Sequence, residues 1–185
     1  MRQGRIVYQG NTKKGNEIVI RYPIPEDLKA MTDYMNALSL EQTFITFQGE
    51  QLTLKEEKKY LQGILKKIQK REAVKLFVFH KNQLIGISDI VMQERTSAHV
   101  GIFGLTITKD HRGEGIGKLL MELVINEGIT HIPQLRIITL GVFANNPIAY
   151  GLYKKFGFIK LGKIPGGIKH KNKYIDYISM YKIIK

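Results

Sequence analysis

A glycine-rich stretch between residues 105 and 118 contains the residue types that bind phosphate. It follows a β-rich run, carries Gly113, Gly115 and Gly117, and leads directly into the apolar stripe of a helix. Glycine lets backbone N–H groups approach a ligand closely, and a helix N-terminus adds unpaired N–H donors and the positive end of the helix dipole. The stretch therefore predicts a cradle for a phosphate or pyrophosphate group.

Two familiar phosphate-binding loops do not fit this spacing. The P-loop requires a Ser or Thr directly after its lysine, whereas Leu119 follows Lys118 here. The dinucleotide fingerprint Gly-x-Gly-x-x-Gly fails at its third glycine. The spacing that remains is Arg112-x-x-Gly115-x-Gly117.

Hydrophobic periodicity sets this loop within a series of helices and strands. Helical spacing of apolar residues predicts helices around residues 28–38, 61–68, 116–124 and 149–156. β-rich runs predict strands at residues 18–21, 74–79, 84–92, 98–108, 135–143, 158–161 and 174–183. Polar or glycine-rich segments predict loops at residues 39–53 and 162–173.

The order of these elements indicates the fold class. The three strands from 74 to 108 are expected to form an antiparallel meander. Strand, helix and strand across residues 98–143 require one parallel pair. We therefore predict an α+β fold, a mixed and mostly antiparallel central sheet with helices on both faces, in a single domain spanning 1–185.

Composition narrows the classes of protein and of cofactor. The 185 residues contain no cysteine, which excludes disulfides, Cys-ligated zinc, iron–sulfur clusters and a catalytic thiol. No apolar run approaches the roughly 20 residues of a membrane-spanning helix, and the first ten residues lack a signal-peptide core. We therefore expect a cytoplasmic protein that does not associate with a membrane, and we expect no metal site.

The chain is strongly basic. Its net charge is +13, from 29 Lys and Arg against 16 Asp and Glu, and such a charge attracts nucleic acid, an acidic partner or a phosphorylated cofactor. The densest basic run, residues 55–71, has helical periodicity and is interpreted as a solvent-exposed helix face. A duplex binder would present a basic stripe with base-reading polar residues, so nucleic acid is not the expected partner.

A second block lies one strand downstream of the glycine-rich stretch. It reads Asn146-x-x-Ala149-x-x-Leu152-Tyr153-x-x-x-Gly157-Phe158. The two blocks, in this order and at this separation, resemble the GNAT superfamily of N-acetyltransferases. The resemblance covers residues 18–28, 74–161 and 174–182, whereas residues 38–55 and 162–173 correspond only to variable regions.

The resemblance implies that acetyl-CoA is the co-substrate and that main chain binds it. The amides of residues 112–118 would take the pyrophosphate, with a positive charge added by Lys118. Strands of the family splay at the cofactor site, so residues 105–107 would pair with the pantetheine arm, and an N–H near Ile107 would polarise the thioester carbonyl. The implied cofactor-binding residues are Leu105, Thr106, Ile107, Arg112, Gly113, Glu114, Gly115, Ile116, Gly117, Lys118, Asn146, Ala149 and Tyr153.

One further role in catalysis follows from the resemblance. Tyr153 would act as the acid that protonates the leaving thiolate, although its place on an apolar stripe also fits core packing. Asn146 is expected to cap its helix. The base that deprotonates the amine stays open, because the candidates Asp89, Glu94, His99 and His111 belong to no motif and a water chain is an alternative.

The acceptor is the least determined part of the prediction. It is a primary amine of a small molecule or of a protein, expected between the 38–53 and 162–173 segments. The second segment is basic, which favours an acceptor carrying a carboxylate or phosphate. The alternative function is a non-catalytic module that senses acyl-CoA or binds nucleic acid. The sequence does not determine whether longer acyl-CoAs are used or whether the protein forms a homodimer.

Overall fold

The computed structural model describes residues 3–184, so the ends of the predicted 1–185 domain, Met1, Arg2 and Lys185, lie outside the described residues. The strands are β1 (Ile6–Asn11), β2 (Glu17–Arg21), β3 (Ala73–His80), β4 (Gln83–Met92), β5 (Val100–Ile107), β6 (Ile137–Phe143), β7 (Ile159–His170) and β8 (Lys173–Ile183). The helices are α1 (Leu28–Leu40), α2 (Leu54–Gln69), α3 (Ile116–His131) and α4 (Pro147–Lys155).

The described strands form one eight-stranded sheet in the order β1-β2-β3-β4-β5-β6-β8-β7. Every neighbouring pair is antiparallel except β5 and β6, which α3 connects as a parallel crossover. The predicted α+β class, the meander and the single parallel pair are confirmed.

Helices cover both faces of the sheet. On one face, Tyr34 of α1 donates a hydrogen bond to Thr106 at 2.9 Å, and Tyr60 of α2 lies 3.0 Å from Lys75 Nζ. On the other face, the ring of Tyr153 in α4 packs edge-on against Phe103 with centroids 5.9 Å apart. The two faces follow from the two-residue period of a strand, which turns Phe103 away from Thr106.

The parallel pair is short, and this opens a gap in the sheet. Only Val100, Gly101 and Ile102 of β5 pair with β6. Beyond Ile102 the two strands diverge, and the rest of β5 is paired on its β4 side alone. The predicted splay of the parallel pair therefore lies over the second half of β5.

Two parts of the chain differ from the prediction. β1 was missed, although Ile6 and Tyr8 precede the turn that contains Gly15. The predicted loop 162–173 is wrong, because β7 continues to His170 and turns into β8 through Lys171 and Asn172, whose φ angles are 48° and 60°. The Pro-Gly-Gly run at 165–167 fits inside β7 because it forms a bulge on an edge strand.

Among residues 3–184, no helix has both the length and the apolar character needed to cross a bilayer. The longest helices, α2 and α3, have 16 residues each.

The β1–β2 hairpin is fastened to the glycine-rich loop by one buried carboxylate. Glu114 accepts hydrogen bonds from Thr12 and Asn16, each at 2.9 Å, and lies 3.2 Å from His111 Nδ1 and 3.9 Å from Lys14 Nζ. Burial alone would raise the pKa of Glu114, but the hydrogen bonds and the neighbouring positive charges outweigh burial and lower it. The contact between the β1–β2 hairpin and the loop therefore depends on Glu114 being ionised.

We expect Glu114→Gln to lower the free energy of unfolding at neutral pH by roughly 1–3 kcal/mol, as for loss of a charge-assisted hydrogen bond to a buried group. Because the folded-state pKa is lowered, the stabilisation is present above the ordinary carboxyl pKa and is lost as pH falls through the folded-state pKa. Urea unfolding of both proteins across this range measures it, with exposed Glu122→Gln as the control. A difference that does not change with pH would contradict the assignment.

Candidate active site

The N-terminus of α3 is shaped to receive an anion. Its N-cap is Gly115, at φ +85°, and Gly113 just before it has φ +79°, a region that favours glycine. No side chain caps the helix, and its first hydrogen bond runs from Leu119 N–H to the Gly115 carbonyl at 3.2 Å. The N–H groups of Ile116, Gly117 and Lys118 therefore stand ahead of the hydrogen-bonded ladder.

Arg112 braces the loop from the other side. Its Nε donates to the Ile107 carbonyl at 2.9 Å, and its guanidinium pairs with Glu41 at the end of α1. Glu41 also accepts from the Lys109 N–H at 3.2 Å. The side chain of this motif arginine is thus occupied in holding the loop, which leaves main chain and Lys118, an exposed residue, to face an anion.

The backbone of β5 presents two residues to the gap. The His99 carbonyl accepts from Arg136 and Ile137 on the β6 side, whereas Thr108 N–H donates to Ile85 on the β4 side. Because backbone groups alternate along a strand, those of Leu105 and Ile107 point toward the gap. Because Arg112 donates to the Ile107 carbonyl, Ile107 offers only its N–H group to the gap.

The first turn of α3, the edge of β5 and α4 meet beside this gap. A Cβ added to Gly117 would lie 3.5 Å from Ile107 Cδ1, 3.8 Å from Leu105 Cδ2 and 4.0 Å from Leu152 Cδ2. The two sequence blocks thus come together in space, with β5 between them. Thr106, by contrast, points to the other face, where Tyr34 covers it.

Tyr153 is a core residue whose hydroxyl still reaches solvent. It is 7% exposed, and its ring packs between Phe103 and Phe158 with centroids 5.9 and 6.1 Å away. Its hydroxyl makes no hydrogen bond to a residue between 3 and 184 and is not among the side-chain atoms sealed from solvent in that range. Burial raises the pKa of Tyr153 to about 12, so the phenol stays protonated near neutral pH.

Asn146 caps α4. Its side chain accepts a hydrogen bond from the Ala149 N–H at 3.1 Å, with Pro147 in the first helical position. The cap sets the direction of α4 and therefore the position of Tyr153, which lies two turns further along the same helix.

The four candidate bases occupy different places. Asp89 on β4 lies opposite Gly104 of β5 and is bound by Lys75. His111 packs against His80, with ring centroids 5.4 Å apart, and faces Glu114 behind the loop. Glu94 and His99 lie at the other end of the sheet, where β4 ends and β5 begins, and His99 precedes Leu105 by roughly 20 Å of extended chain.

Several residues of the region carry no sequence signal. Glu41, Thr12 and Asn16 reach the glycine-rich loop from positions about 70 to 100 residues away in the chain. His170, at the end of β7, bonds the Gln42 carbonyl at 3.0 Å and packs on Phe44 and Phe143. These contacts join the segment after α1 to both the loop and the β7–β8 hairpin. Spacing along the sequence cannot predict these contacts because each joins residues from different elements.

Comparison with known proteins places this geometry in a family. The sequence profile of the Acetyltransferase (GNAT) family matches residues 34–158. An acetyltransferase of the GNAT family from Streptococcus pneumoniae is 30% identical, covers 91% of this chain and 100% of its own, and superposes with a TM-score of 0.83. No curated protein sequence shows significant similarity to the chain.

Two more distant structures show the same fold. YncA from Salmonella typhimurium, solved with its cofactor acetyl-CoA, is 15% identical over 91% of this chain and 94% of its own, with a TM-score of 0.77. Spermidine N-acetyltransferase from Vibrio cholerae, in complex with CoA and spermine, is 21% identical over 90% and 95%, with a TM-score of 0.71. Because the profile match spans more than half of the sequence and includes both blocks, the chain belongs to the GNAT acetyltransferase family.

Proposed function

We propose that the protein is an N-acetyltransferase that moves the acetyl group of acetyl-CoA to a primary amine by direct attack in a ternary complex. The observation that carries the proposal is the uncapped N-terminus of α3 beside the unpaired edge of β5. One feature fits a pyrophosphate and the other fits an extended amide-containing arm.

The residues present fit acetyl-CoA. Positive φ angles at Gly113 and Gly115 bring main-chain amides to the surface without a Cβ in the way. A cavity of about 250 Å³ adjoins the loop, and Lys13 and Lys118 are among the residues that line it. The chain thus offers amides for phosphate, positive charge beside them and an open strand edge for the arm.

In this proposal, bound acetyl-CoA supplies an acetyl group activated as a thioester. The Ile107 N–H would donate to the thioester carbonyl oxygen and stabilise negative charge there. The Tyr153 hydroxyl would donate its hydrogen bond, and then its proton, to the sulfur as the C–S bond breaks. Phe103 and Phe158 pack against the ring, and the pKa that burial raises keeps the hydroxyl protonated until then.

The acceptor is proposed to be a small-molecule or protein amine that also carries an anionic group. The β7–β8 hairpin contributes Lys169, Lys171 and Lys173 near its turn, and the net charge of +13 disfavours a polycation. One structural neighbour is a spermidine acetyltransferase, so spermidine is the natural counter-example to include.

Thiol release from acetyl-CoA with a panel of alanine, alaninamide, ethanolamine, spermidine and an N-terminal peptide tests the activity. We expect turnover with at least one of these amines and an acetylated product confirmed by mass. Absence of turnover with every amine, despite binding of acetyl-CoA, would favour a module that only senses acyl-CoA.

We expect wild-type protein to bind acetyl-CoA with roughly micromolar affinity and Gly115→Val to lose most of that affinity. A side chain at φ +85° is strained, and its Cβ would stand 3.2 Å from the Lys13 side chain where amides must meet phosphate. Calorimetry measures the affinity, with Gly151→Val in α4, a position with open space around it, as the matched control. Equal affinity in the Gly115 variant and in wild type would show that the loop is not the cradle.

We expect Tyr153→Phe to keep acetyl-CoA affinity and to lower kcat roughly a hundredfold, because the ring packing stays and the proton donor is removed. Tyr150→Phe, on the same helix, is the control. Steady-state kinetics with the best amine and calorimetry with acetyl-CoA separate the two effects. A variant with wild-type kcat would mean that Tyr153 serves packing alone.

A further inference from the structure

The turn of the β1–β2 hairpin is docked onto the glycine-rich loop beside the start of α3. Thr12 and Asn16 donate hydrogen bonds to the Glu114 carboxylate at 2.9 Å, and the Lys13 N–H donates to the Glu114 carbonyl oxygen at 3.1 Å. The backbone of Lys13 is thus held at the loop by contacts that do not involve its own side chain. Its ammonium group therefore stays available for another contact.

The side chain of Lys13 lies across the N-cap of α3. A Cβ added to Gly115 would lie 3.2 Å from each of the Lys13 atoms Cγ, Cδ and Cε, and the ammonium is one bond further along. Lys118, in the first turn of α3, is exposed, as is Lys13. No residue between 3 and 184 forms a hydrogen bond or an ion pair with either ammonium group. Two free positive charges therefore lie close to the N-terminus of this helix.

The two sides of the α3 N-terminus face different parts of the protein. A side chain at Gly117 would meet β5 and α4, whereas a side chain at Gly115 would meet Lys13 of the hairpin. In the proposed function the pantetheine arm lies along the unpaired edge of β5, on the Gly117 side. With the pyrophosphate on the loop amides between them, the nucleotide end of the cofactor would extend toward the Gly115 side and the hairpin.

A cavity of about 250 Å³ lies on the hairpin side, between the turn and α3. It is lined by apolar, polar and basic side chains, which include Ile18, Ile116, Leu119, Asn11, Thr12, Lys13 and Lys118. Two carboxylates also line it, Glu114, which the hairpin engages, and Glu122, which is exposed. Apolar contact together with free positive charge suits a phosphorylated nucleoside.

We infer that Lys13 binds the 3′-phosphate on the ribose of coenzyme A and makes the protein prefer coenzyme A to its 3′-dephospho form. The inference rests on the proposed function, because it takes acetyl-CoA as the co-substrate. The loop amides can hold the pyrophosphate, whereas a separate phosphate on the ribose lies beyond them and needs a cation of its own. Lys13 lies about 100 residues before the glycine-rich loop, outside both sequence blocks.

The long stem of Lys13 and its charge can be tested separately. Lys13→Met keeps an unbranched side chain across Gly115 and removes the positive charge, whereas Lys13→Arg keeps the charge. Lys29→Met is the matched control, because Lys29 is an exposed lysine of α1 that pairs with Asp33. Any effect of net charge alone would appear equally in this control.

Calorimetry with coenzyme A and with 3′-dephospho-coenzyme A, at about 150 mM salt, tests the inference. At this ionic strength, exposed charges more than roughly 8 Å apart are largely screened, so a loss reports a nearby contact. We expect wild type to bind coenzyme A about fivefold or more tightly than the dephospho form. Lys13→Met should lose most of this preference through weaker binding of coenzyme A, with the affinity for the dephospho form within about twofold of wild type. Lys13→Arg should retain the preference.

Three results would overturn the inference even if the protein acetylates amines. Wild type might show no preference between the two ligands, or Lys13→Met might keep the wild-type preference. Equal weakening of both ligands in Lys13→Met would mean that Lys13 acts on the pyrophosphate instead. By contrast, loss of the preference in Lys13→Met, without turnover of any amine by wild type, would support the phosphate contact and reject the acetyl transfer.

Discussion

The short pairing of β5 with β6 is the constraint on which the rest of the site depends. Three residues of β5 pair in parallel with β6, and the remaining edge is left open. An unpaired strand edge inside a sheet carries N–H and C=O groups that need partners, so an extended ligand could pair with the open edge. α3 begins at the end of this edge and α4 packs beside it, which places an uncapped helix N-terminus and Tyr153 around the same gap.

The loop that opens α3 is held by side chains from distant parts of the chain. Glu114 joins it to the β1–β2 hairpin, and the Arg112–Glu41 pair joins it to α1. With Arg112 and Glu114 so engaged, the loop presents backbone and the exposed Lys118 to its surroundings. This arrangement suits a ligand bound through amides, whose geometry needs a rigid frame more than it needs particular side chains.

Local patterns predicted the parts of the fold that local chemistry determines. The glycine spacing indicated the start of α3, Asn146 and Pro147 indicated the start of α4, and the strand–helix–strand order indicated the parallel pair. The β7–β8 hairpin was not predicted because Pro165, Gly166 and Gly167 are typical of a loop. The burial of Glu57 on α2 was not predicted because this residue lies in a charged run, residues 55–71, that resembles a fully exposed helix face. Contacts such as Thr12 with Glu114 join residues far apart in the chain, so no spacing rule could indicate them.

Hydrogen–deuterium exchange of the wild-type protein with and without coenzyme A reports on the individual backbone amides that would hold the cofactor. We expect slower exchange, on addition of coenzyme A, at the amides of Leu105 and Ile107 and at those of residues 113–118. The amides of the β3–β4 turn at residues 81–82 should not change. Unchanged exchange along β5 and the loop, with protection appearing elsewhere on the protein, would show that coenzyme A does not bind at the open edge of β5.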